Sequence, residues 1–255
     1  MIAADGRRIA WGVGLWVLWT LATWWLEGRI GTFARPDAVA DRLLYTGVAN
    51  VLIGIVGAAL LLRFLTGGDS QRRRHAGFAS LGRTVAWVPL GAALGLGFLF
   101  AQGAPSTAPV VLLNAYSQVL VVSIAEVMVC WSIMAGTIAR GINARMWVAL
   151  PIAAMVASLM FGAYHFAHSP PFNTVGMVAF LSLIGLLTSA MFFLSKDVYA
   201  TIIFHTFLGV VGVVQALAEQ SKLEIFQMVQ APLVGTALVA LVVLILADVF
   251  IVRRS

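Results

Sequence analysis

A chain of 255 residues in which 61% are hydrophobic and only 10% charged lies far from the roughly 25% charged residues of a soluble domain, so water is not its main solvent. The formal net charge of +6 sits in short basic clusters between long apolar runs, as membrane proteins carry it, which sets nucleic-acid binding aside. The single cysteine, Cys130, excludes an internal disulfide and any multi-cysteine metal site.

The first apolar run follows Arg7 and Arg8. It is about span length and no small-residue cleavage site follows it, so it reads as a helix and not as a signal peptide. A spanning helix needs roughly 20 mostly apolar residues. On that rule spans are expected near 9–27, 43–66, 85–102, 110–138, 147–167, 174–194, 198–217 and 231–252. Three breaks punctuate them: the basic linker at Arg72, Arg73 and Arg74, the proline-bearing loop from Gly103 to Pro109, and the Ser169-Pro170-Pro171 turn. The expected fold class is all-α, a polytopic transmembrane bundle of about eight helices. It divides into 1–109 (helices one to three with the basic linker), 110–217 (helices four to seven) and 218–255 (the C-terminal helix).

Charge alternation supports this segmentation, because a wrong helix number would scramble it. Arg7, Arg8, Arg63, Arg72, Arg73, Arg74, Arg83, Arg140, Arg145, Lys196, Arg253 and Arg254 fall on one side. Arg29, Arg35, Arg42 and Lys222 fall on the other, where Glu27, Asp37, Asp41, Glu219 and Glu224 largely offset them. Both termini are therefore expected to be cytoplasmic. Trp24, Trp25, Trp87 and Trp147 lie near span ends, where indole rings favour the headgroup layer. Gly91 and Gly95 form a GxxxG pattern, and Gly185 with Ser189 a small-xxx-small pattern, both of which permit close helix contact.

Of the ten acidic residues, nine are in loops or near a span end, Asp248 among the latter; Glu126 alone sits well inside a span. A carboxylate at that depth disfavours insertion by about 2.5 to 3.5 kcal/mol, which marks it as a candidate functional group. His165 and His205 lie in two other spans, and His168 follows His165 by one helical turn, at the outer end of its span. His75 reads as part of the basic loop. One carboxylate and two imidazoles can activate a water as general base with orienting partners, or as three ligands of a zinc ion with an open fourth position; the sequence leaves both open. No HExxH, glycine-rich phosphate loop, GxSxG elbow or histidine-box cluster is present.

The order Glu126, then Phe161-x-x-x-His165, then His205 with a small residue four places on, each in its own helix, resembles the CPBP family of intramembrane proteases. That family includes the type II CAAX prenyl endopeptidases and the Abi or bacteriocin-processing proteins, with the pattern EExxFRG, FxxxH and HxxxN or HxxxD. Here the first block keeps only its leading glutamate, since Val127 and Trp131 replace the second glutamate and the arginine. The second block matches fully, and in the third Gly209 replaces asparagine or aspartate. The resemblance covers roughly residues 110 to 217. It implies that Glu126 and His165 activate water for attack on a peptide carbonyl while His205 and its neighbour hold the oxyanion. His168, Gly209 and Tyr164 are the secondary candidates beside them. The resemblance also implies a membrane-embedded or lipidated peptide as substrate; the short loops and the absence of large extramembrane domains suit the inner membrane as location.

The departures keep two other readings in view: a non-catalytic membrane binding or scaffold protein, and a proton-coupled transporter, because intramembrane Glu and His also mark proton relays. Depth along the helices raises a further expectation. At 1.5 Å per residue, Glu126 and His205 come out roughly 10 to 20 Å from the cytoplasmic face, whereas His165 falls nearer the opposite face by roughly 10 Å or more.

Overall fold

The computed structural model describes residues 2–33, 35, 38–142 and 144–253; Asp37 and Arg254, used above in the charge pattern, lie outside the described residues. Among the described residues eight helices are long and apolar enough to cross a membrane: α1 (Gly6–Gly28), α2 (Val39–Thr66), α3 (Leu81–Ala101), α4 (Pro109–Gly141), α5 (Met146–Ala167), α6 (Val175–Ser195), α7 (Val198–Glu219) and α8 (Ala231–Val252). No strand occurs among these residues. The chain is a multi-pass, all-helical membrane protein. The spans fall within a few residues of those expected; α2 and α3 begin earlier and α4 runs three residues further, to Gly141.

Local chemistry explains where these helices begin and end. Pro109 opens α4, where its missing N–H is not needed. The Thr174 hydroxyl accepts from Met177 N at 3.3 Å to cap α6, and the Asp197 carboxylate accepts from Ala200 N at 2.9 Å to cap α7. Gly67, with φ +57°, stops α2 in the left-handed conformation that a glycine adopts without strain. His75, expected in a loop, instead closes a short helix, Ser70–His75, which Asp69 caps by accepting from Gln71 N at 2.8 Å. Two backbone N–H groups, of Gln71 and Arg72, hold the Asp69 carboxyl below its usual range.

α4 is the most deeply buried helix and α7 the next, and the rest surround them. Exposed apolar side chains such as Leu18, Phe64, Leu183 and Val239 cover the outer faces, as a lipid-facing surface requires. The GxxxG pair acts where α3 meets α7: a Cβ on Gly91 would stand 2.7 Å from the Ala200 carbonyl oxygen and one on Gly95 would stand 2.8 Å from Phe207 Cβ. Only hydrogen fits at both positions, so the two backbones approach closely. The basic residues also have structural partners. Arg63 and Arg73 donate to the Ile251, Val252 and Arg253 carbonyl oxygens at the end of α8, which satisfies carbonyls that the helix itself leaves free. Arg253 in turn pairs with Asp248 at 2.7 Å.

Candidate functional site

Glu126 lies near the middle of α4, 4% exposed, and the helix widens to a π-helical pitch over Val127–Ala135 immediately after it. Its two carboxylate oxygens meet two different helices. Oε2 accepts from His205 Nε2 of α7 at 3.0 Å, and Oε1 faces His165 Nε2 of α5 at 3.7 Å. The expected mismatch in depth between Glu126 and His165 is therefore absent, for two physical reasons. Measured from the loop between α4 and α5, Glu126 lies about 15 residues up one helix and His165 about 19 up the next, so the longer α4 reduces the offset to about 6 Å. Side chains also lean toward the N-terminus of their own helix, and α4 and α5 run antiparallel, so Glu126 and His165 lean toward each other.

Both imidazoles are held by their other nitrogen. His165 Nδ1 donates to the Phe161 carbonyl oxygen at 2.9 Å, which leaves Nε2 turned to the carboxylate. His205 Nδ1 meets the Thr188 hydroxyl of α6 at 2.8 Å, and that hydroxyl also reaches the Ile184 carbonyl oxygen at 3.2 Å. Phe161, the first residue of the FxxxH block, packs its ring 4.8 Å from His165 and 5.0 Å from His205. Trp131 stands behind this pair with its ring 5.3 Å from both Phe161 and His205. Its Nε1 donates to Ser189 Oγ at 2.8 Å, within a cluster that includes Ser158 and the Ala154 carbonyl. The residue that replaces the family's arginine thus serves as a packed aromatic wall. Val127 is fully buried in the main apolar cluster and does not line the cavity.

The cavity at this site has a volume of about 220 Å³, enough for several water molecules. Glu126, His165, His205 and Gly209 line it together with apolar groups such as Val122 and Leu208. A Cβ on Gly209 would lie 2.7 Å from Val119 Cγ1, so an asparagine there requires the Val119 side chain to move. Tyr164 does not line the cavity. Its hydroxyl meets Thr23 at 3.2 Å and Tyr45 at 3.3 Å, and its ring stacks on Trp19 at 3.7 Å between centroids. It belongs to the packing of α5 against α1 and α2.

A second carboxylate enters the same cavity. Glu27, expected as a span-end charge offsetting nearby arginines, is 4% exposed and lies 3.2 Å from His168 Nδ1. Ser169 donates to it from its backbone N–H, at 2.9 Å, and from its hydroxyl. Gly28 permits this, because any side chain there would run into the Ala167 carbonyl oxygen. His168, expected at the outer end of its span, is thus a partner of Glu27. Sequence carries only a weak signal for the pair, since a carboxylate one residue from a span end is ordinary and the Ser169 that holds it lies 142 positions away.

A glutamate with two imidazoles has the donor chemistry that zinc accepts. Among the described residues, however, no group of three His, Cys, Asp or Glu side chains is arranged to hold a metal ion. The His205 ring nitrogen meets the carboxylate directly instead of converging with it on a third point.

The family model described as type II CAAX prenyl endopeptidase Rce1-like matches residues 108–211. The matched segment is less than half of the chain, runs from the residue before α4 into α7, and contains Glu126, Phe161, His165, His205 and Gly209. It agrees with the resemblance read from the motifs. No curated protein and no solved structure matches the chain.

Proposed function

We propose that this CAAX-protease-like membrane protein is an intramembrane endopeptidase in which Glu126 activates a water for attack on a peptide carbonyl. The observation that carries this reading is the division of labour at one carboxylate. One oxygen is fixed by His205, and the other faces His165 Nε2 at a distance too long for a direct hydrogen bond, inside a cavity large enough for water. A water within reach of Glu126 Oε1 and His165 Nε2 gives its proton to the carboxylate as its oxygen bonds to the carbonyl carbon. His205 donates its Nε2–H to Glu126 Oε2; once Glu126 has taken the proton of the water it is a weaker acceptor, and that N–H turns to the developing oxyanion, where a donor is stronger in a dry site than in water.

Orientation follows from charge. We place both termini on the cytoplasmic side of a cell membrane, since the basic loops share that side. Thr32, Gln102, Gln215 and Glu219, all at the span ends opposite those loops, line the polar part of the cavity, so the substrate approaches from the non-cytoplasmic side. Apolar lining groups such as Val122, Phe180 and Leu208 suit a membrane-embedded or lipidated peptide.

The test uses purified protein in detergent with a membrane-embedded or C-terminally prenylated peptide. Wild-type protein should cleave it, and Glu126→Gln should lower the rate by about 10²- to 10⁴-fold without loss of the folded state. Cleavage that survives this substitution would rule out the mechanism. A cellular function untouched by the same change would identify a binding or scaffold protein instead.

A further inference from the structure

We infer that His168, oriented by Glu27, is a second acid–base group of this site, positioned to give a proton to the amine nitrogen that leaves when the peptide bond breaks. The inference rests on the endopeptidase reading above and adds to it a residue outside the family's motif pattern.

Glu27, Glu126, His165, His168 and His205 all line one cavity. Within it the three imidazoles are not equivalent. His165 commits Nδ1 to the Phe161 carbonyl and turns Nε2 to Glu126, and His205 commits its nitrogens to Thr188 and Glu126. His168 gives Nδ1 to Glu27, while its Nε2 is buried without a hydrogen-bond partner among the described residues. A buried imidazole nitrogen left unpaired is unfavourable unless it serves a ligand or a reaction. The arrangement around it is that of an oriented acid–base pair. The Glu27 carboxylate receives two further donors from Ser169, which fix it as an acceptor, and an acceptor at Nδ1 selects the tautomer whose Nε2 is free to exchange a proton. The ring is confined by perpendicular contacts with Tyr164 at 4.9 Å and Tyr45 at 6.2 Å.

The departing nitrogen needs a proton, and His168 is placed to give it. As water attacks, its proton moves to Glu126, the new C–O bond forms and the carbonyl oxygen becomes the oxyanion. When the C–N bond breaks, the electron pair goes to nitrogen, which must take a proton to leave as an amine. His168, as the imidazolium paired with the Glu27 carboxylate through Nδ1–H, carries a second proton on Nε2 and supplies it. Glu126 and His168 line the same cavity, so the proton held by Glu126 returns to His168 through cavity water. The site is restored with one water consumed and one peptide bond cut.

Leaving-group dependence tests this role. A peptide that the wild-type protein cleaves is compared with an ester of the same acyl segment and a phenol leaving group, which departs without a proton. His168→Gln should reduce peptide cleavage by about 10²-fold and change ester cleavage only a few-fold. Glu27→Gln, altering a positioning residue, should show a smaller loss with the same sparing of the ester. Glu126→Gln should lose both substrates. Thermal unfolding in detergent reports on folding separately, so a variant that has merely collapsed is recognised by its lost transition, and Glu27→Gln then carries the test. Equal loss of peptide and ester in a His168→Gln protein that remains folded, or peptide cleavage unaffected by the change, overturns the inference while leaving the endopeptidase reading intact. If wild-type protein cleaves neither substrate, the endopeptidase reading falls, and this role with it.

Discussion

Val119 Cγ1 lies 2.7 Å from the point where a Cβ on Gly209 would stand, so a larger residue one turn beyond His205 must displace the Val119 side chain. Placing there the asparagine that the resembled CPBP pattern carries should therefore harm the protein. Gly209→Asn is expected to destabilise by about 1–3 kcal/mol, the range for overpacking a filled contact. Adding Val119→Ala should recover most of that loss. Thermal unfolding in detergent of the two single variants and the double variant gives the coupling directly. A Gly209→Asn protein as stable as wild type would show that α7 has room this packing denies it.

Trp131 offers a parallel case. It is fully buried, its ring supports both Phe161 and His205, and its indole N–H donates to Ser189. Trp131→Arg should destabilise by about 3–5 kcal/mol, through the lost ring volume and a buried charge. Trp131→Phe keeps a ring and loses mainly the hydrogen bond, about 1 kcal/mol. The two melting temperatures decide the matter; if the arginine variant melts at or above the phenylalanine variant, the wall role is wrong.

Thr188 orients His205 without lining the cavity. Removing its hydroxyl with a shape-conserving residue, Thr188→Val, leaves His205 Nδ1 unpaired and should lower kcat about tenfold, equivalent to about 1.4 kcal/mol. KM should hold, since no substrate contact is lost. Thr188→Ser retains the hydroxyl and should retain most of the rate. Steady-state kinetics on the cleaved peptide would contradict this if valine and serine behaved alike.

Orientation is open to chemical labelling in intact cells. Gln215 is an exposed cavity residue at the end of α7, and Arg74 is an exposed residue of the basic linker. With the buried Cys130 replaced by serine, Gln215→Cys should react with a membrane-impermeant maleimide before permeabilisation, and Arg74→Cys only afterwards. The reverse pattern would put the cavity mouth in the cytoplasm and require a different substrate route.

Much of the fold is legible in the order of the residues. The spans and their number follow from apolar runs of span length, because a backbone in hydrocarbon must satisfy its own hydrogen bonds. The Gly91 and Gly95 pattern points to a close contact, although not to α7 as the partner. The residues of the site are less legible. Glu126 is visible because a carboxylate deep in a span is costly. Glu27 is not, because a carboxylate at a span end is commonplace until a distant segment covers it. Tyr164 sits beside His165 in sequence yet turns its hydroxyl to Thr23 and Tyr45, since neighbours on a helix face different directions.

Sequence alone thus determined how many times the chain crosses the bilayer, and which rare ionisable side chains the crossing helices must carry. Tertiary structure decided which of those side chains meet. It did so because the relative height of two helices depends on loop length, helix length and the lean of each side chain, none of which a one-dimensional pattern records. The contact between Glu27 and Ser169 spans 142 positions, and that between Glu126 and His205 spans 79. Only packing brings such groups within a hydrogen bond of one another.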